Sequence, residues 1–155
     1  MPLRATVAFL VLPGVLAFAL PVSYLAGAGP LEPRHPAGLA LLIAGTLGLA
    51  SCIREFHVEG KGTLAPWDPP RFLVRTGLFR YTRNPMYLSV ALVLLGWAAA
   101  YGSLPLLVYA AAVVIGFHLR VVLGEEPWLR RKYGAQWQAY CEMVPRWLPL
   151  GKGPP

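Results

Sequence analysis

Three long stretches of the chain, 5–31, 35–53 and 84–119, contain no aspartate, glutamate, lysine or arginine. A helix that crosses a bilayer needs about 20 mostly apolar residues. Each of the first two stretches can hold one such helix, at about 5–26 and 38–53. These two segments are therefore predicted to be transmembrane helices.

The third stretch is too long for a single span and is interrupted at 101–105 by the sequence YGSLP. Glycine and proline mark turns, so this stretch predicts a tight hairpin of two spans, at about 85–100 and 104–122. The fold class expected for the chain is therefore an all-α membrane protein with about four transmembrane helices in one domain. The first two spans occupy 1–55, and the remainder, 56–155, forms a second part of that domain.

The overall composition agrees with this assignment. Hydrophobic residues make up 56% of the 155 residues and charged residues only 14%, whereas a soluble domain carries about 25% charge. The high hydrophobicity excludes a disordered chain, and two cysteines are too few for a disulfide-rich scaffold or a cysteine-based zinc ribbon.

The basic residues indicate an orientation. Four spans place the N-terminus, the second connection and the C-terminal tail on one side of the membrane. Thirteen of the fourteen lysine and arginine residues lie on that side, and only Arg34 does not. Since basic loops face the cytoplasm, we expect an integral protein of a bacterial inner membrane with those three segments cytoplasmic. The net charge of +7 then reports orientation rather than binding to nucleic acid.

The N-terminal segment has an alternative interpretation as a cleaved signal peptide, because 26–28 reads AGA. Its apolar stretch exceeds twenty residues, whereas the apolar region of a signal peptide has about 7–15. A span is therefore favoured. Pro13 and Pro21 fall inside it and predict kinks that neighbouring helices accommodate.

The second connection and the tail both have features of a functional site. The connection, 54–84, is rich in glycine and proline, but its aromatic residues favour an ordered loop. In the tail, Pro127 suits the first position of a helix. Aromatic and leucine side chains then recur every three to four residues through Tyr140. This amphipathic helix is interpreted as an interfacial helix, as a lid over a site, or as both.

Two charged motifs stand out in these segments. Adjacent carboxylates at Glu125 and Glu126 repel each other and favour a nearby cation, which is either a ligand or an arginine such as Arg120. Successive helical residues point about 100° apart, so we expect only one of the two to face a ligand. Arg83 precedes the Asn84-Pro85 start of a helix, a combination that suits an anion or, with Arg80, lipid phosphates.

These motifs resemble the isoprenylcysteine carboxyl methyltransferase family and its phospholipid methyltransferase relatives. The resemblance covers about 58–149 and rests on RNPMYL at 83–88, EEPWL at 125–129, and the later pattern that ends in VPR at 144–146. Asn84 stands where the family often has histidine. The resemblance implies an integral membrane enzyme that uses S-adenosylmethionine, and it makes 56–155 a methyltransferase-like core.

The resemblance also implies roles for individual residues. Arg120 and Arg146 are the expected catalytic residues, through contact with the substrate, and no metal is expected. The expected cofactor-binding residues are Gly60, Gly62, Thr63, Tyr81, Arg83, Asn84, Pro85, Tyr87, Glu125 and Glu126.

The implied substrate is a lipid-like or prenylated amphiphile that enters from the membrane lipids. The activity most similar to the implied one is O-methylation of an isoprenylcysteine carboxylate. The alternatives are N-methylation of a phospholipid or other amine, or a non-catalytic four-helix membrane protein. The sequence leaves the oligomeric state open.

Overall fold

The computed structural model describes residues 10–28, 32–60 and 72–148, and every regular element within these ranges is helical. The expected all-α class is confirmed. The elements, in chain order, are a π-helical segment (Leu10–Ala19), α1 (Leu20–Ala28), α2 (Pro36–Val58), a 3₁₀ turn (Gly77–Arg80), α3 (Pro85–Tyr101), α4 (Leu104–Arg120), a π-helical turn (Val121–Glu125), α5 (Glu126–Tyr133) and α6 (Ala135–Met143).

Helices α2 and α3 pack antiparallel along most of their length, so that the backbone N–H of Arg34 donates to the carbonyl of Ala100 at 2.7 Å. Glycines allow the close approach. A Cβ added to Gly45 would lie 2.7 Å from the carbonyl oxygen of Ser89, and one added to Gly96 would lie 2.7 Å from the backbone nitrogen of Leu42. Small residues at such contacts let helix backbones pack closely in membrane proteins.

The hairpin between α3 and α4 forms where the sequence predicted it. Gly102 ends α3 in a left-handed conformation with φ of +59°, which glycine adopts without steric cost. The Ser103 hydroxyl accepts a hydrogen bond from the backbone N–H of Leu106 and caps α4. The second connection and the tail therefore lie at the same end of the helices.

The N-terminal segment is joined to this hairpin at the position of a predicted kink. Pro21 has no N–H, so it cannot donate to the carbonyl of Ala17 in an α-helical register or to that of Leu16 in a π-helical one. Side chains from the neighbouring helices donate instead. Trp97 Nε1 lies 2.9 Å from the Ala17 oxygen, and the Tyr109 hydroxyl lies 2.9 Å from the Leu16 oxygen.

Within the described ranges, two helical stretches are long and apolar enough to cross a membrane, Pro36–Val58 and Leu104–Tyr133. Two further apolar helices, Pro13–Ala28 and Pro85–Tyr101, are shorter. The last predicted span ended near 122, with a separate helix beginning at Pro127. Instead, the helix continues through the π-helical turn, in which the Glu126 N–H bonds to the carbonyl of Val121. This wider turn comes directly before Pro127 and lets the helix continue past it.

The tail forms two helices rather than one continuous amphipathic helix. Gly134 has a φ of +52° and separates α5 from α6. Trp137, Tyr140 and Val144 are buried in a cluster with Leu73 of the second connection. The Tyr140 hydroxyl also donates to the carbonyl of Phe79 at 2.7 Å, so the tail packs against the second connection.

The contact at the N-terminal segment can be tested with Tyr109→Phe, which removes only a hydroxyl group. We expect a loss of about 1 kcal/mol in unfolding free energy, because the Leu16 carbonyl loses its donor in an apolar environment. Unfolding in mixed detergent micelles measures this loss. Tyr24→Phe, at a side chain that is 44% exposed, is the matched control; equal losses in the two variants would contradict the assignment.

Candidate functional site

The candidate site lies where α4 continues into α5, beside the N-terminus of α3. Glu125 ends the π-helical turn and Glu126 begins α5. Both carboxylates face arginine side chains, and the expectation that only one of them faces a ligand stays a prediction. Single π-helical turns are often found at functional sites.

Glu125 connects the ends of α3 and α4. The Tyr87 hydroxyl donates a hydrogen bond to Glu125 Oε1, and Arg120 Nε donates to the same oxygen at 2.9 Å. The Tyr87 ring is buried against Phe117, with centroids 4.5 Å apart. Among the described residues, these contacts all fall on Oε1, which leaves Oε2 of this partly exposed carboxylate available to a ligand.

Glu126 binds two arginines from distant parts of the chain. Arg146 Nε and Nη2 donate to its two oxygens at 2.9 and 2.8 Å, a bidentate arrangement. Arg83 Nη1 lies 3.0 Å from Oε1. The side chains of Glu126 and Arg83 are only 15% and 12% exposed, whereas that of Arg146 is 37% exposed.

Arg83 has several contacts, but its Nε is an unused hydrogen-bond donor among the described residues. Its Nη1 also donates to Cys141 Sγ at 2.9 Å, and its guanidinium carbon lies 5.7 Å from the centre of the Trp137 ring. Its Nε is buried and has no hydrogen-bond partner among the described residues. An unpaired buried donor is costly, so this atom is suited to an acceptor on a ligand.

The segment before α3 is attached to the segment after α6 through backbone groups. The N–H of Arg83 donates to the Pro145 carbonyl at 2.9 Å. The Thr82 hydroxyl and Asn84 Nδ2 both donate to the Arg146 carbonyl, at 3.1 and 3.0 Å. The side chain of Asn84 therefore holds the tail instead of capping α3, while Pro85 occupies the first turn as expected.

Protonation states in the tail follow from burial and ion pairing. Hydrogen bonding to Glu126 raises the pKa of Arg146 above its usual value, so this guanidinium stays charged. Burial raises the pKa of the Cys141 thiol and that of the Tyr140 hydroxyl. Both groups therefore remain protonated at neutral pH, and Tyr140 keeps its role as a donor.

Most of the residues singled out from the sequence come together in this cluster, namely Arg83, Asn84, Pro85, Tyr87, Arg120, Glu125, Glu126 and Arg146. Tyr81 directly follows the 3₁₀ turn, its side chain is 45% exposed, and no contact joins it to the cluster among the described residues. Gly60 lies at the end of α2, where its N–H bonds to the Glu55 carbonyl. Gly62 and Thr63 lie outside the described residues.

Three polar residues with defined contacts in the structure were not predicted from the sequence: Thr82, Cys141 and Glu55. Thr82 and Cys141 contact the site through the tail, so only tertiary structure reveals them. Glu55 carried a usable sequence signal, because it is an acidic residue directly after a charge-poor span. Within the described ranges, no group of three or more histidine, cysteine, aspartate or glutamate side chains is placed to hold a metal ion.

The burial pattern predicts how strongly each charge supports the fold. Glu126→Ala leaves Arg83 buried without its carboxylate, and we expect a loss of about 3 kcal/mol in unfolding free energy. Arg146→Ala removes a more exposed partner and leaves Glu126 paired with Arg83, so a loss of about 1 kcal/mol is expected. Detergent unfolding curves measure both, and a larger loss in Arg146→Ala would refute this ranking.

Comparison with known proteins identifies one family. A family model described as phospholipid methyltransferase matches residues 33–136, more than half of the chain. The match includes α2, which lies before the region where the motif resemblance begins, and it stops short of Arg146. No curated protein and no solved structure matches the chain.

Proposed function

The chain belongs to the phospholipid methyltransferase family, and we propose that it transfers a methyl group from S-adenosylmethionine to a lipid-like or prenylated acceptor. The family is a methyltransferase family. Together with the two long apolar helices, it indicates an integral membrane protein. The observation that carries the proposal is the cluster in which Glu125 and Glu126 meet three arginines at the end of the apolar helices.

The side chains of the cluster suit S-adenosylmethionine, which carries a sulfonium, an ammonium and a carboxylate. Oε2 of Glu125 offers negative charge to a cationic group of the cofactor. The unpaired Nε of Arg83 offers a donor to the carboxylate. The full set proposed to bind the cofactor is Gly60, Gly62, Thr63, Tyr81, Arg83, Asn84, Pro85, Tyr87, Glu125 and Glu126.

The cofactor brings an already activated methyl group, so the protein needs mainly to position the reactants and exclude water. The packing supports this role. Tyr87 is buried against Phe117, and Trp137 and Tyr140 of the tail are buried against Leu73 of the second connection. The tail helices α5 and α6 are therefore proposed to act as a lid, with 56–155 as the methyltransferase-like core.

The charge balance of the cluster favours an acceptor with an anionic group. Two carboxylates face three arginines, an excess of one positive charge. Arg120 and Arg146 are the more exposed of the three, at 48% and 37%. We propose that they contact the acceptor, most simply a carboxylate as in isoprenylcysteine O-methylation. Such a group is ionised at neutral pH and needs no base.

An amine acceptor is the alternative, because the Glu125 carboxylate can receive the proton that an attacking nitrogen must lose. A non-catalytic membrane protein is the third possibility.

The proposed arrangement has all four apolar helices crossing a bacterial inner membrane, with the cluster at the cytoplasmic surface. At about 1.5 Å per residue, Pro85–Tyr101 is close to the minimum length for a span.

A transfer assay with methyl-labelled cofactor tests the activity and the type of acceptor together. Purified protein in lipid nanodiscs is incubated with a prenylcysteine acid or with phosphatidylethanolamine. We expect label in the prenylcysteine product, released by mild base because a methyl ester hydrolyses. Base-stable label in the phospholipid would instead identify an N-methyltransferase.

Variants separate the proposed acceptor contact from nonspecific effects. Arg120→Ala is expected to lower kcat/KM about tenfold or more, since a charge-assisted contact of this kind contributes 1.5–3 kcal/mol. Arg131→Ala, an exposed arginine of α5 that is outside the cluster, is the control and should transfer methyl groups like the wild type. Absence of transfer to either acceptor class would count against the proposed enzyme.

A further inference from the structure

The end of α2 contains a buried carboxylate that the cluster does not use. Glu55 is 7% exposed and follows a long apolar run. Burying a carboxylate costs free energy, so ionisable groups in membrane helices are commonly functional and paired with a defined partner. The contacts of Glu55 identify the segments that it holds in place.

The side chain of Glu55 binds the turn that leads into the candidate site. The Thr76 hydroxyl donates to Glu55 Oε2 at 2.9 Å, and Arg54 Nη1 donates to Oε1 at 2.9 Å. Gly77 follows with a φ of +56°, and a Cβ on it would lie 2.9 Å from Glu55 Cγ. Glycine is therefore needed at this position for its backbone conformation and for space beside the carboxylate.

The backbone carbonyl of Glu55 binds residues near the start of the second connection. The Glu55 carbonyl accepts hydrogen bonds from Glu59 and Gly60, at 2.9 and 3.4 Å. Gly60 is buried and is the first glycine of the Gly-x-Gly element at 60–62. Gly60 and Thr76, which come before and after residues 61–71 that the structure does not describe, therefore both contact Glu55.

The Thr76 turn also continues into the part of the structure that contacts the tail. The Thr76 carbonyl accepts the N–H of Phe79, whose ring packs edge-on against Phe56 at 5.4 Å. The Phe79 carbonyl accepts the Tyr140 hydroxyl. A shift of the turn would therefore displace the surface against which the tail packs.

We propose that Glu55 is a positioning residue whose side chain holds the Thr76 turn and, through Phe79 and Tyr140, the surface on which the tail packs beside the proposed cofactor site. This inference rests on the function proposed above. Glu55 acts before methyl transfer, through the geometry of the connection, and is not placed against the reacting atoms. Its loss should therefore raise the dissociation constant for S-adenosylmethionine and the corresponding KM, with little change in kcat.

Three substitutions test this role. Glu55→Ala and Thr76→Val each remove the side-chain hydrogen bond and are expected to raise the dissociation constant about tenfold. Thr76→Ser retains the hydroxyl and should restore binding to within about twofold of the wild type. Glu32→Ala, at an exposed acidic residue outside these contacts, controls for loss of one negative charge and should leave the constant unchanged.

Calorimetric titrations of S-adenosylmethionine into the detergent-solubilised variants give the constants. The double variant Glu55→Ala/Thr76→Val should lose no more affinity than either single variant, because both act through one contact. If Glu55→Ala does not fold, the comparison of Thr76→Val with Thr76→Ser decides the question. Wild-type binding with unchanged affinity in Thr76→Val overturns this inference alone, whereas no binding by the wild type overturns the proposed function as well.

Discussion

The pairing of Glu126 with Arg83 and Arg146 joins three segments that are far apart in the chain. Glu126 begins the helix after the long apolar one, Arg83 precedes α3, and Arg146 follows the last tail helix. Because two of these charges are largely buried, each depends on the others to offset the cost of leaving water. The tail is consequently held over the N-terminus of α3, where Glu125, Tyr87 and Arg120 form the adjoining contact.

The helical framework satisfies a second constraint of an apolar environment, that backbone polar groups need partners. Pro21 leaves carbonyls without their helical donors, and Trp97 and Tyr109 donate to them from neighbouring helices. At the other end of the helices, the side chains of Thr82 and Asn84 donate to the carbonyl of Arg146. The same requirement thus fixes the N-terminal segment to the hairpin and the tail to the candidate site.

Features governed by local chemistry could be predicted from the sequence. Gly102 and the residues after it specify the hairpin through backbone conformation and capping, and the apolar stretches specify the helices. The paired glutamates were recognisable because adjacent carboxylates require a cation. The partners of Glu126 were not, because Arg83 and Arg146 reach it from distant parts of the chain. The break at Gly134 and the contacts of Thr82 and Cys141 likewise depend on packing of the tail, which has no local sequence pattern.

If the glutamate–arginine cluster binds S-adenosylmethionine as proposed, calorimetric titrations of the cofactor into the wild-type protein and into Glu125→Gln should give different affinities. This substitution keeps the size of the side chain and its ability to accept from Tyr87, but it removes the charge offered to a cationic ligand. We expect saturable binding by the wild type and an affinity at least about tenfold weaker in the variant. Equal affinity in the two proteins, or no binding by the wild type, would rule out this cluster as the cofactor site.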